Sequence, residues 1–306
     1  MSRYVATQIL QIVFLVLLVA TVVFVMLRVV GGDPARIAGS PASTEQVLQQ
    51  FRERFGLDRP VLEQYFRYIG GIAQGDFGSS FRSGEPALQI TLKAIGNTGL
   101  LVLLAMGIGL LISISCGLAA GWSKDGWFDR AALTLVAIFQ SVPGFFVAIV
   151  LVLIFSIRLR WLPALGAPGG AGMVLPLVAL VITLIPEQFR LVRESTIRQI
   201  SLDYVRSARG FGLSDTRVLF GSVLKNAVLP LVAVVGIQLG YLLSGAVAVE
   251  VVFNYPGIGT LAQTVLTARD YPVIQAITIV GAAAFLVINL VVDLTLAYLN
   301  RRVSIR

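Results

Sequence analysis

The chain has 306 residues, 57% of them hydrophobic and only 13% charged, with a mean hydropathy of +0.86. Several apolar runs exceed the roughly 18 residues that cross a bilayer core, and they are continuous rather than alternating, which excludes a soluble globular domain and a transmembrane β-barrel. The net charge of +8 fits Lys and Arg retained on one side of a membrane, while the absence of histidine and the single cysteine, Cys116, remove the commonest general base, the commonest transition-metal ligand and any intrachain disulfide.

The first apolar run, about Tyr4 to Val30, is too long for a signal-peptide core and is followed by no small-residue cleavage site, so it reads as a retained helix. Residues 31–97 form a long loop that reads as a small folded subdomain. Ser43-Thr44-Glu45-Gln46 has the capping-box pattern, and Val47, Leu48, Phe51 and Phe55 follow at helical spacing up to Gly56. Asp58-Arg59-Pro60 opens a second helix with Leu62, Tyr65, Phe66 and Ile69 on one stripe. Packing on the membrane domain accounts for the apolar stripe; the polar face is open to an extracytoplasmic partner.

Five more spans follow, at about Thr98–Gly121, Ala131–Ile157, Met173–Leu191, Val228–Phe253 and Val273–Leu299. Ser141-Val142-Pro143-Gly144 interrupts the third span, and Pro176 and Pro186 bracket the fourth. Such breaks are tolerated where neighbouring helices or cavity water satisfy the freed backbone groups. The Gly107/Gly109 and Gly236/Gly240 pairs suit close helix approach. Charges inside the spans are Arg28, Glu187, Glu250 and Asp293, each nearer an end than the middle. That leaves no midplane acid to mark an ion path. Gln140, Ser141, Pro143, Gln238 and Asn289 are the candidates to line a polar path; hydrogen bonding between helices is the simpler role for the amides.

Between the fourth and fifth spans lies a basic loop, residues 190–226, with seven Lys/Arg against three acids. Its sequence is helix-like and broken at Gly210 and Gly212. Tyr204, Val205 and Ala208 fall on one apolar face, with Arg206 and Arg209 elsewhere. A basic helix resting on anionic lipid would need no such break; a soluble partner gripping the loop would. Orientation follows from short-segment charge: thirteen cations on the face that receives this loop against three on the other put both termini in the cytoplasm. No phosphate-binding G-x-x-x-x-G-K-[ST] loop is present, and no Ser/His or Cys/His pair is possible.

Gly32-Asp-Pro34, Gly75-Asp-Phe-Gly78, the run from Asp203 to Leu213, Leu224 to Pro230, Glu250 to Gly259, Arg269-Asp-Tyr-Pro272 and Asn289 to Asp293 occur in an order and spacing that resemble the first permease subunit of dipeptide/oligopeptide-type ABC importers, a family that also includes glutathione and nickel systems. The resemblance covers nearly the whole chain. Two departures stand out: Gly210-Phe211-Gly212 replaces the usual Ala-Lys-Gly, and Asn300-Arg301-Arg302 the usual Asp-Pro-Arg.

The resemblance implies an all-α polytopic fold of six transmembrane helices, the type I importer permease fold. It divides the chain into the first helix (1–30), an extracytoplasmic subdomain (31–97) and a five-helix core (98–306) carrying the coupling loop 190–226. It also implies that Asp203, Tyr204, Val205, Arg206, Ser207, Ala208, Arg209, Gly210, Phe211 and Gly212 form a coupling helix seated on a separate ATPase, with Ala208 against it. The implied partners are a second homologous permease, two ATPase subunits that hold ATP and Mg, an extracytoplasmic substrate-binding protein and membrane lipid, and no nucleic acid. This chain itself would hold no cofactor and catalyse no covalent chemistry, in a bacterial or archaeal cytoplasmic membrane. Peptide is the default substrate, nickel is disfavoured for want of soft or imidazole ligands, and glutathione, opines and short sugars stay open. The rival reading is an ion- or proton-coupled secondary transporter acting without ATPase subunits.

Overall fold

A computed structural model describes residues 2–29, 35 and 44–299. Gly32-Asp-Pro34, Ser43 and the 300–302 tail lie outside the described residues, as does the side chain of Asp293. Helix dominates because a chain in lipid must satisfy its own backbone hydrogen bonds. The helices are α1 (Ser2–Val29), α2 (Glu45–Phe55), α3 (Val61–Ala73), α4 (Ala87–Trp122), α5 (Trp127–Ser141) and α6 (Gly144–Leu151), which runs on as a π-helical segment, Val152–Arg158. They continue with α7 (Val174–Ile200), α8 (Asp203–Gly210), α9 (Asp215–Ala227), α10 (Leu229–Val252), α11 (Ile258–Ala268) and α12 (Tyr271–Leu299). Four helices are singly long and apolar enough to cross a membrane, and the number is six if the bent pairs α5–α6 and α9–α10 each count as one span.

The α5–α6 pair bends by 98° at the expected break. Pro143 (φ −60°) offers no N–H and holds Val142 extended at φ −108°, ψ 125°, so the helix cannot continue. Ser141 Oγ donates to the Ala137 carbonyl at 2.8 Å. Pro186 behaves differently. It lies inside α7, which runs on unbroken to Ile200, well past the expected end at Leu191. Likewise α4 starts at Ala87 rather than Thr98, taking over the last stretch of the long loop.

The chain divides into two compact units. The first contains Met1–Thr98 and Pro256–Leu290, so the described residues 44–97 group with the first helix and with α11 and the start of α12. Its core is Ala87, Val265, Val273, Ile274, Ala276 and Ile277. α2 begins at Glu45 with Thr44 as its N-cap, one residue after the expected Ser43, and the Thr44 side chain makes no capping bond, with Val47 rather than Glu or Gln at the third helical position. The helix ends at Gly56 (φ 65°), where the Gly56 and Leu57 amides bond the Glu53 and Arg52 carbonyls in a Schellman turn. The inward face of α3 is rotated from the expected stripe: Leu62 and Phe66 are 67% and 65% exposed, while Tyr65 keeps an inward place and Ile69 is half-buried. Tyr65 and Tyr68 pack on Phe24 of α1 with ring centroids 5.2 and 5.4 Å apart, and Gln64 Oε1 accepts from Arg28 Nη2 at 2.6 Å. That rotation supplies the guanidinium with an acceptor that an all-apolar face would lack. Two family-like motifs meet in this unit. Asp270, 2% exposed, accepts from Ser80 Oγ (2.5 Å) and the Phe81 amide (3.1 Å), and Gly78 lies against Pro272.

The second unit contains Gly99–Tyr255 and Val291–Ser304. α7 is its axle, packed by α5, α6 and α10. The seam between α4 and α7 depends on missing side chains. A Cβ at Gly117 would sit 2.9 Å from Val192 Cβ, and one at Gly121 2.7 Å from Thr196 Cβ and 2.8 Å from the Arg193 carbonyl. Gly109 contributes to the same seam beside Leu184 and Gln188, and Gly236 sits against Val292, whereas Gly107 has nothing within 4 Å. The main core runs from Leu101 through Leu180 and Leu242 to Phe253 and Tyr255.

Candidate coupling helix and polar path

α8 follows α7 after a turn at Ser201-Leu202. Its composition dictates how it lies. Val205 is fully buried in a cluster with Leu118, Val192, Val218, Val223 and Ala227, and Tyr204 and Ala208 pack on that cluster. Tyr204 also donates to Gln199 Oε1 at 2.9 Å. Within α8's apolar face Val205 is fully buried, while Tyr204 and Ala208 are partly buried. One turn of helix puts Ala208 on the same face as Val205.

The outward side carries the exposed Asp203, Arg206, Ser207, Arg209 and Gly210. At its end the Gly212 amide bonds the Arg209 carbonyl (2.9 Å) and the Leu213 amide bonds the Ala208 carbonyl (3.2 Å). This is a Schellman closure with Gly212 in the left-handed region at φ 77°. It leaves Phe211 standing out, 88% exposed. Arg209 is held back toward the body of the unit: its Nε bonds Asp215 Oδ1 at 3.1 Å and its guanidinium lies 5.0 Å from the Trp122 ring centroid.

A clamp that sequence reasoning missed fixes the helix leading into α8. Asp129, in the first turn of α5 and 1% exposed, takes a two-pronged bond from Arg193 of α7, at 2.5 Å from Nε and 2.7 Å from Nη2, and a third from the Asp125 amide at 2.9 Å. Such a fork-shaped pair is directional as well as strong. The available signal was an acid, Asp129, beside the apolar start of a span; its partner lies 64 residues away.

Of the five path candidates, Gln238 is the one the structure builds into a network. Gln238 Nε2 donates to Glu187 Oε2 (2.8 Å), and Gln238 Oε1 accepts from the fully buried Gln188 (2.7 Å), whose Nε2 also faces Met106 Sδ at 3.3 Å. Glu187 is exposed, so the line runs from the surface to the interior. Here Gln238 joins α10 to α7, as helix glue does. Gln140, Ser141 and Pro143 are exposed at the α5–α6 break and stand apart from this network; Asn289 is half-buried and belongs to the first unit. Glu187 and Gln188 were visible in the sequence as adjacent polar residues after Pro186, but their pairing with Gln238 was not. Among the described residues no group of three or more His, Cys, Asp or Glu could hold a metal ion.

Helices throughout the described residues, broken spans and a short helix closed by a glycine turn beside the 27-residue α7 fit the type I importer permease fold. Solved structures agree on the fold. An inward-facing MetNI methionine ABC transporter is 15% identical, with a TM-score of 0.56 over 70% of this chain and 97% of that one. An amino acid ABC transporter solved with histidines is 17% identical, with a TM-score of 0.51 over 70% of this chain and 94% of that one. Curated relatives span the full length. The glutathione transport system permease protein GsiC of Salmonella paratyphi A is 37% identical over 300 residues, 98% of either chain. The same-named protein of Escherichia coli K12 is 35% identical over 300 residues, again 98% of either chain, and the probable peptide ABC transporter permease protein y4tP of Sinorhizobium fredii 34% over 311 residues, 99% of either chain. Residues 87–305 match the model of the binding-protein-dependent transport system inner membrane component, and residues 1–96 match that family's N-terminal membrane component. The chain belongs to this family of ABC-transporter permeases. It is a non-catalytic membrane component whose class works with ATPase and substrate-binding partners, and the stand-alone secondary transporter is not favoured.

Proposed function

We propose that this chain, paired with a second homologous permease and two ATPase subunits, carries short peptides or glutathione-like solutes inward across a cytoplasmic membrane, with both termini on the cytoplasmic side. The full-length likeness to glutathione and peptide permeases supports that substrate class. The observation that carries the coupling role is the division of α8 into two faces. Val205 is locked into the unit's own core while Phe211 protrudes at 88% exposure. A helix held rigidly on one side and offering an aromatic residue on the other suits a groove on a soluble partner, since exposed aromatics at interfaces carry much of the binding energy. ATP-driven closure of the partner would then push on α8 and, through the clamped α7, on the spans. Proteoliposomes with the assembled transporter test the reading. Uptake of labelled glutathione or of a labelled dipeptide should require both ATP and the substrate-binding protein. Uptake driven by an ion gradient without ATP would overturn it.

A further inference from the structure

In the first unit a cleft of about 340 Å³ opens between the end of α1, the α2–α3 corner, the 76–81 turn and the first turns of α12. Its volume falls in the range of small-molecule sites, roughly 300–1,000 Å³. Gln275 lies in its wall at 8% exposure, and its side-chain amide makes no hydrogen bond among the described residues. Its amide keeps contact with solvent and can bond a polar ligand in the cleft. Four arginines line the same space against Glu53 and Asp76; two of them, Arg59 and Arg67, pair with Glu63, which leaves Arg28 and Arg54 as the cations open to a ligand. Arg28 is pre-positioned: it lies 3.3 Å from the Phe24 ring centroid, with Nη2 fixed on Gln64. Arg54 is exposed and forms no ion pair among the described residues. Amide and guanidinium donors together are the set that recognises a carboxylate. The rings of Phe55, Tyr68 and Phe81 supply apolar wall for a side chain beside it.

We infer that this cleft is a solute site on the permease itself, taking a small molecule that carries a carboxylate next to an apolar or aromatic group. The inference is independent of which solute is imported. The test uses the assembled transporter in nanodiscs with no substrate-binding protein, and equilibrium dialysis of radiolabelled glycyl-L-phenylalanine against the C-terminal amide of the same dipeptide. Saturable binding of the acid is expected, with the amide at least about tenfold weaker, as befits loss of a charge-assisted bond. Gln275→Leu and Arg54→Gln should each weaken the acid by about five- to tenfold. Arg54 is at the surface, so its variant decides the matter even where Gln275→Leu fails to assemble. Absent saturable binding, equal binding of acid and amide, or an Arg54→Gln variant that binds as wild type would overturn the site. So would weakened capture of the binding protein by these variants without any binding of the dipeptide, which would assign the cleft to protein docking.

Discussion

At the scale of single residues, the Asp129–Arg193 fork is the most consequential contact in the second unit. Removing one partner of a buried pair strands the other charge, at a cost of about 3–5 kcal/mol. Asp129→Ala should therefore lower the thermal stability of the purified transporter by about that order. Asp129→Asn, which keeps an acceptor for the Asp125 amide, should recover part of it. Both should depress ATP hydrolysis stimulated by the binding protein more than basal hydrolysis, because the clamp fixes the helix that leads into α8. An Asp129→Ala transporter with unchanged stability and stimulation would show that the pair is an ornament of the surface. The Gln188–Gln238–Glu187 line is a different kind of contact. Its polarity is dictated by the carboxylate, which only accepts, so Gln238 donates outward and Gln188 donates to Gln238.

At the scale of elements, the α4–α7 seam is set by glycine. A side chain at Gly121 would press on Thr196 and on a backbone carbonyl, and neither can swing away as a flexible chain end would. Gly121→Val should cost about 1–3 kcal/mol by overpacking and give a transporter that loses activity on mild heating. Wild-type stability in that variant would mean that α4 and α7 pack less closely than described. How much of this was legible in sequence depends on the range of the forces involved. Apolar runs, Pro143, Gly56 and Gly212 act locally, so the broken third span, the end of α2 and the close of α8 were readable. The extension of α7 through Pro186 to Ile200 was not, because charged residues such as Arg190 and Arg193 look like loop until a partner such as Asp129 is known. The face of α8 was legible, since Tyr204, Val205 and Ala208 share one side, but the burial of Val205 was not, because it depends on the distant Val218 and Val223. The stripe on α3 was legible only in part for a related reason, since Arg28 and Phe24 of α1 choose Gln64 and Tyr68 over Leu62 and Phe66.

At the scale of the whole molecule, the chain belongs to a permease family and catalyses nothing itself, and the proposed coupling role requires that motion at α8 become motion of the spans. In the second unit α7 meets the requirements of a lever. Glycines bring α4 against it, a buried ion pair joins it to α5, and Gln188 ties it to α10. α8 extends that lever to an exposed aromatic tip. The central claim is that the tip, and not the apolar face, meets the ATPase. Site-specific photocrosslinking tests it directly, with a benzophenone amino acid placed in turn at positions 211, 208 and 205 of the assembled transporter. Position 211 should crosslink to the ATPase subunit, with a yield that changes when ATP is bound, while positions 205 and 208 should crosslink only within the permease. ATPase adducts from 205 or 208, with none from 211, would contradict the account.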